Sequence, residues 1–377
     1  MNRDTIKNEA LLAHETFGFR STIAMSMGLG KTRIAIRRIM EHLKNNINSK
    51  IIVAGARTVF LENFQLELKA LNLEKFISQI IFSTTKSLGK YENILFDLVI
   101  IDEAHKECER IYQFLKKQNE LSPTSEFLCL TGSPKRFSFE ENSIYDFAPI
   151  SYRKRVDESI ELDLLNDYQI TVLFTELDTR NNIKVDTKNY SFFTSEKKQY
   201  DYLYKKYLDS SKKGFSYELS NLKQFFRKIK SKDPYVLQLL SKFRNEKTLI
   251  FLNSIDKTYE YDLPSYHSKL SKEIRTENLL KFINSDILHF TNVDGLTESI
   301  NVPQLKNLII TKIDASELKF LQALGRALRL LKDQTANVFV ICAKNTIEVD
   351  WLRKAISSLD RTKITAINIE NYDFTTK

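Results

Sequence analysis

Cysteine, glycine and proline are all scarce in this chain. Only three cysteines, Cys108, Cys129 and Cys342, are spread over 377 residues. An odd, scattered set gives neither a disulfide framework nor the paired spacing of a zinc site, and it points to a reducing compartment. The five histidines are dispersed as well, so no metal cluster is expected. Nine glycines and six prolines leave no Gly/Ser linker and no low-complexity tract. No apolar run reaches the roughly 18 residues that a transmembrane helix needs. The opening residues, Met1-Asn2-Arg3-Asp4, mix charges and lead into no apolar signal core. No internal repeat of short period is present.

What the chain does have is ordinary globular composition, 42% hydrophobic and 28% charged, and a length that suits two domains. Its formal charge of +9 favours a polyanionic partner, although many basic proteins have none.

Apolar runs alternate with helical spacing. A first helix is expected over Thr5 to Phe17, with a turn at Gly18. Short buried strands are expected at Thr22–Ala24, Lys50–Gly55, Gln79–Phe82, Asp97–Asp102 and Glu126–Thr131. Continuous apolar runs suit parallel strands covered on both faces, so the pattern predicts a doubly wound α/β sheet. A second α/β unit begins with Tyr168–Phe174. It resumes at Thr248–Leu252, Ile287–Phe290, Asn307–Ile310 and Asn337–Ile341, with a helix over Glu317 to Leu331. Between them, residues of about 189–245 read as a helical, basic insertion. Its aromatics include Tyr200, Tyr202, Tyr204, Tyr207, Phe225 and Phe226, and its cations include Lys197, Lys198, Lys205, Lys206, Arg227 and Lys228. Either the rings stack on bases and the lysines meet phosphate, or the rings are core and the lysines are solvated. Most rings are expected in the core, and some lysines on phosphate.

Three segments carry chemistry. The first is Met25-Ser26-Met27-Gly28-Leu29-Gly30-Lys31-Thr32, a glycine loop between a strand and a helix. Such a loop aims backbone N–H groups and a helix N-terminus at one spot, which suits polyphosphate. Gly28, Leu29 and Gly30 would cradle it, Lys31 would reach the β/γ-phosphates, and Thr32 would hold Mg²⁺. The bland alternative is a plain glycine turn, and Met25 stands where the usual pattern opens with glycine. The second segment is Asp102-Glu103-Ala104-His105, just past a buried strand. Asp102 can position Mg²⁺ and Glu103 can deprotonate a water; alternatively, the two acids merely favour a helix start. The third is Gln322-Ala323-Leu324-Gly325-Arg326-Ala327-Leu328-Arg329, whose two arginines share a helix face. They could stabilise a phosphoryl-transfer transition state, or form a basic surface helix.

Together these segments resemble superfamily 2 helicases and translocases, along nearly the whole chain. Motif I looks like Met27 to Thr32, motif Ia like Ala54-Gly55-Ala56-Arg57, and motif II (a DEAH box) is Asp102 to His105. Motif III resembles Leu130-Thr131-Gly132-Ser133-Pro134, motif IV Thr248 to Phe251, motif V Leu296 to Pro303, and motif VI Gln322 to Arg329. Ser299 stands where motif V usually has glycine. Val156 to Ile160 with Leu164 to Tyr168 is similar to the entry of the second domain in UvsW-like phage helicases, XPB and restriction-enzyme motors.

The resemblance implies two RecA-like domains in tandem, 1–150 with ATP binding and 151–377 with the insertion. It implies ATP and Mg²⁺ as cofactors and DNA, with RNA as the alternative, as partner. Glu103, His105, Gln322, Arg326 and Arg329 would be catalytic. Arg57, Thr84, Thr85, Thr297 and Asn301 would lie on the nucleic acid, and His105 would couple to motif III or to Gln322. The expected protein is a monomeric cytoplasmic motor (in the host cytoplasm if viral), with no membrane contact. Its rivals are a duplex translocase that does not unwind, an RNA helicase, and an ATP-gated binding module with little turnover.

Overall fold

The computed structural model describes residues 2–26, 28–56, 58–132, 144–186, 190–211, 217–293, 302–314, 320–321, 323–325 and 335–375. The chain divides into two compact units between Asn166 and Asp167.

The first unit opens with α1 (Arg3–Thr16), capped by Asn2, whose side chain accepts from the Thr5 N–H. Then come β1 (Arg20–Met25), α2 (Lys31–Asn45), β2 (Ile51–Gly55), α3 (Thr58–Ala70), β3 (Ile80–Thr84), β4 (Leu98–Ile101), α4 (Cys108–Leu121), β5 (Glu126–Thr131) and β6 (Ile150–Lys154). The strands form one parallel sheet in the order β3-β2-β4-β5-β1-β6. Every residue of β2 and β4 is buried, as a sheet covered on both faces requires. Ile52, Val99 and Ile101 meet Phe114 and Leu115 of α4 in the core.

The boundary expected at residue 150 lies further on. Residues Ile150–Lys154 pair with β1, Tyr152 opposite Ile23 and Lys154 opposite Met25. The short helix that follows, Val156–Glu161, sets the Ser159 hydroxyl 3.1 Å from that of Ser26. This stretch therefore completes the first sheet instead of opening the second.

The second unit contains β7 (Tyr168–Thr175), a two-stranded antiparallel hairpin of β8 (Ile183–Asp186) and β9 (Ser191–Thr194), and helices Glu196–Ser211, Tyr217–Lys228 and Asp233–Lys242. It continues with β10 (Thr248–Phe251), β11 (Ser265–Tyr266), β12 (His289–Asn292), β13 (Asn307–Ile310), β14 (Ala336–Ala343) and β15 (Ile364–Asn368). Its parallel sheet runs β11-β12-β10-β13-β14-β7-β15. With the hairpin and the two-residue β11 set aside, both units follow one plan. The third, second, fourth, fifth, first and sixth strands stand side by side in that order.

The helical insertion is shorter than expected. Helix Asp233–Lys242 belongs to the sheet's own covering layer, with Val236, Leu239 and Leu240 packed on Ile250, Ile309 and Ile341. Just before it, the buried Lys232 donates to the Thr311 carbonyl at 3.1 Å and to the Glu348 carboxylate at 2.8 Å. Glu348 also accepts from the Ala343 N–H at 3.0 Å. Burial raises the Glu348 pKa, and Lys232 opposes that rise.

His14 is fully buried on α1, its Nδ1 2.8 Å from the Ser21 hydroxyl. Burial, with the Arg38 charge adding to it and Glu126 opposing, lowers its pKa to about 4. A depressed histidine is neutral when folded and protonated when unfolded between its two pKa values. Stability from this group therefore falls as pH drops through that window. Urea titrations at pH 7.5 and pH 5 should show about 2 kcal/mol lost from the first unit through this group. The loss should largely vanish in His14→Gln.

Candidate active site

Parallel pairing of β1 with β5, and of β5 with β4, brings the carboxyl ends of three strands to one edge of the first sheet. The glycine loop follows β1, Asp102–His105 follows β4, and Thr131 ends β5. Ligands in such sheets bind at this edge.

The loop needs glycine. Gly28 and Gly30 have φ of 90° and 88°, a left-handed conformation that side chains strain to adopt. Gly30 then caps helix α2, so the Lys31 and Thr32 N–H groups begin a helix aimed at the loop. Leu29 is buried beneath it, and Thr32 is half-buried. The Lys31 ammonium donates to the Met25 carbonyl at 3.1 Å, folded back over the loop. A second ammonium lies close by, which no sequence pattern disclosed. A Cβ on Gly30 would stand 3.1 Å from Cε of Lys7, whose Nζ pairs with Asp4 at 3.1 Å. On the same helix as Lys7, Asn8 accepts from Arg37 at 2.7 Å.

The Asp102–His105 segment is held by its backbone. Asp102 N–H donates to Ala54 and Ala104 N–H to Leu130, at 2.8 and 3.0 Å. Glu103 sits at φ 53°, a strained value for a side chain of this length. That turn buries its carboxylate, and Oε2 lies 3.2 Å from His105 Nδ1. The hydrogen bond of that nitrogen runs to the Thr131 hydroxyl, at 2.9 Å. Oε2 therefore has no hydrogen-bond donor of its own among the described residues. A proton on Nδ1 faces both oxygens favourably, whereas a bare Nδ1 would set a lone pair against the carboxylate. His105 thus links the acidic segment to β5, the first of the two partners foreseen for it.

Of the two threonines expected to meet nucleic acid, only one reaches the surface. Thr84 is half-exposed, its hydroxyl donating to Ser87 at 3.0 Å, while Thr85 is fully buried. Gly55 ends β2 so close to α3 that a Cβ would stand 2.1 Å from the Phe60 ring. Arg57, Thr297, Asn301, Gln322, Arg326 and Arg329 lie outside the described residues, as does most of the expected helix Glu317 to Leu331. Among the described residues, no cluster of three or more His, Cys, Asp or Glu could hold a metal ion by itself. No described helix is long and apolar enough to cross a membrane.

Residues 231–331 match the helicase conserved C-terminal domain family. The chain is 26% identical over 292 residues to the DNA 3'-5' translocase XPB2 of Sulfurisphaera tokodaii, covering 69% of this chain and 61% of that protein. It is 25% identical over 337 residues to Putative helicase 22 of Sulfolobus islandicus filamentous virus, covering 81% and 57%. It therefore spans less than two thirds of either relative's length.

Among solved structures it resembles S. cerevisiae Dbp5 bound to RNA and ADP BeF3, with a TM-score of 0.61 at 12% identity over 97% of this chain and 90% of that one. The type ISP restriction-modification enzyme LlaBIII bound to DNA gives 0.60 at 14% identity, over 98% and 31%. The Pyrococcus furiosus Hef helicase domain gives 0.55 at 13%, over 95% and 99%. The chain is thus similar to superfamily 2 helicases and translocases. Its two parallel-sheet units resemble tandem RecA-like helicase domains.

Gly30→Ala should destabilise the first unit by about 1–2 kcal/mol in thermal unfolding, because alanine is strained at this φ. Gly89→Ala, where a Cβ meets nothing within 4 Å, should be neutral or slightly stabilising.

Proposed function

We propose that this chain is a nucleic-acid-dependent ATPase that couples ATP hydrolysis to movement along, or unwinding of, DNA. The observation that carries the reading is the shared edge of the first sheet. A left-handed glycine loop at a helix N-terminus follows β1, and a buried acidic segment bonded to Thr131 follows β4.

Gly28, Leu29 and Gly30 would present backbone N–H groups to the phosphates, and Lys31 would leave the Met25 carbonyl for them. Lys7 would add positive charge to the same loop. Thr32 and Asp102 would hold Mg²⁺; one hydroxyl and one carboxylate suit a hard cation that keeps most of its waters. Bound Mg²⁺ neutralises charge on the β- and γ-phosphates. Glu103, with a buried oxygen that lacks a donor, would accept the proton of the attacking water. His105 would fix the orientation of that carboxylate and tie it to Thr131. Arg326 and Arg329 would stabilise the transition-state charge, with Gln322 beside them. Arg57, Thr84, Thr297 and Asn301 would contact the strand. Thr85 would serve through its backbone or by supporting Thr84.

A second reading, translocation on duplex DNA without strand separation, is favoured by the likeness to a DNA translocase. Strand displacement assayed on forked DNA, blunt duplex and RNA duplex distinguishes it from unwinding and from action on RNA.

Lys31→Ala should abolish ATP hydrolysis stimulated by nucleic acid. Glu103→Gln should keep ATP binding but lower turnover about 10²- to 10⁴-fold. Arg329→Ala should cut kcat by about 10³-fold. Full stimulation surviving in Lys31→Ala would sink the reading.

A further inference from the structure

The chain's positive charge is not evenly spread. Residues 176–232 hold 14 lysines and arginines against 7 acids, a net +7 of the chain's +9, together with 11 aromatic residues. The fold explains only some of those rings. Tyr200, Phe225 and Phe226 are buried and pack on one another. Tyr190, Phe192 and Phe193 remain 64%, 43% and 63% exposed, and Tyr202 and Tyr217 are exposed as well.

The β8–β9 hairpin presents the first three rings. Phe193 pairs directly across from Lys184, and Val185 from Phe192. Directly opposed residues of an antiparallel pair share a face. Phe193 and Lys184 thus stand together on the outer face, where residues 184, 186, 191 and 193 are all exposed. On the opposite face, shared by Val185 and Phe192, the rings of Tyr190 and Phe192 lie 5.9 Å apart.

A two-stranded ribbon has no core of its own, and this one is fixed at its base. Thr194, Ser195 and Glu196 are buried. The Glu196 carboxylate accepts from the N–H groups of Asp178, Lys230 and Ser231, at 3.2, 2.5 and 3.3 Å. The rings are thus held outward on a firm mount. Arg180 is gripped by both oxygens of the half-buried Asp178, but Lys184 with Asp186 and Lys197 with Asp201 form exposed pairs. Such pairs are weak and exchange readily for phosphate.

We propose that the β8–β9 hairpin binds single-stranded nucleic acid wrapped across its ribbon, Phe193 stacking a base on one face and Tyr190 with Phe192 on the other, while Lys184 beside Phe193 and the cations of helix Glu196–Ser211 meet phosphates. This deepens the nucleic-acid partner of the proposed function and rests on it. A stacking ring needs an open base face, which a duplex conceals, so the surface selects single strands. The net charge matches a polyanion, which sets this occupant above a protein or a second copy of this chain.

The test uses the full chain, with fluorescence anisotropy of labelled single-stranded dT and U oligonucleotides of about 20 nucleotides and of a blunt DNA duplex. In Phe192→Ala/Phe193→Ala, the single-strand Kd should rise about 10- to 100-fold. Duplex affinity and unstimulated ATP turnover should stay at wild-type values, the latter also reporting an intact fold. Tyr190→Ala should weaken single-strand binding by a smaller factor. Equal single-strand affinity in wild type and the double variant, with or without a change in self-association by sedimentation, overturns the proposal while leaving the proposed function standing. A wild-type chain that binds no oligonucleotide overturns both.

Discussion

Parallel strand pairing is the constraint on which the rest of the first unit depends. Because β1, β5 and β4 run in one direction, whatever follows each of them must emerge at the same edge. Three segments far apart in the chain are thereby made neighbours without any designed contact between them. The local devices then only have to refine the arrangement. Left-handed glycines turn the loop, a left-handed Glu103 turns its carboxylate inward, and His105 ties that turn to the next strand. The short helix after β6 braces the loop from the other side through Ser159 and Ser26.

Parts of this could be read from the residues and parts could not. Strands β2, β4 and β5 were legible because they are covered on both faces, which leaves a continuous apolar run such as Ile51-Ile52-Val53. Edge strands β6 and β15 were not. Ile150-Ser151-Tyr152-Arg153-Lys154 and Ile364-Thr365-Ala366-Ile367-Asn368 keep polar residues on their open sides, so neither shows such a run. β12 is displaced by two residues from its expected place. Thr291 and Asn292 continue it, fully buried and polar, past the apolar Ile287-Leu288 that attracted the reading.

The site shows the same division. The turns at Met25–Thr32 and Asp102–His105, each contained in one stretch at a strand end, could be placed from residue types and spacing. Features made by the approach of distant segments were not. Lys7 comes to the glycine loop from the far side of a strand, and no local pattern signals it. The surface threonine could not be told from the buried one, since Thr84 and Thr85 are chemically identical and differ only in which way the backbone turns. The insertion divides likewise: amphipathic spacing identified the helices, but not which rings the hairpin would turn outward.

The repeated strand plan gives the buried Lys232–Glu348 pair a further meaning. In the second sheet, Thr311 follows the fourth strand and Ala343 ends the fifth, the positions that Asp102 and Thr131 hold in the first. There the two charges neutralise each other and satisfy the backbone groups around them. Removing either alone would leave a buried charge at a cost of about 3–5 kcal/mol. At the corresponding edge of the second sheet, the described residues thus hold the protein's own ion pair. A chain built twice on one plan has thus finished the same edge in two ways, with an open acidic turn in one unit and an internal ion pair in the other.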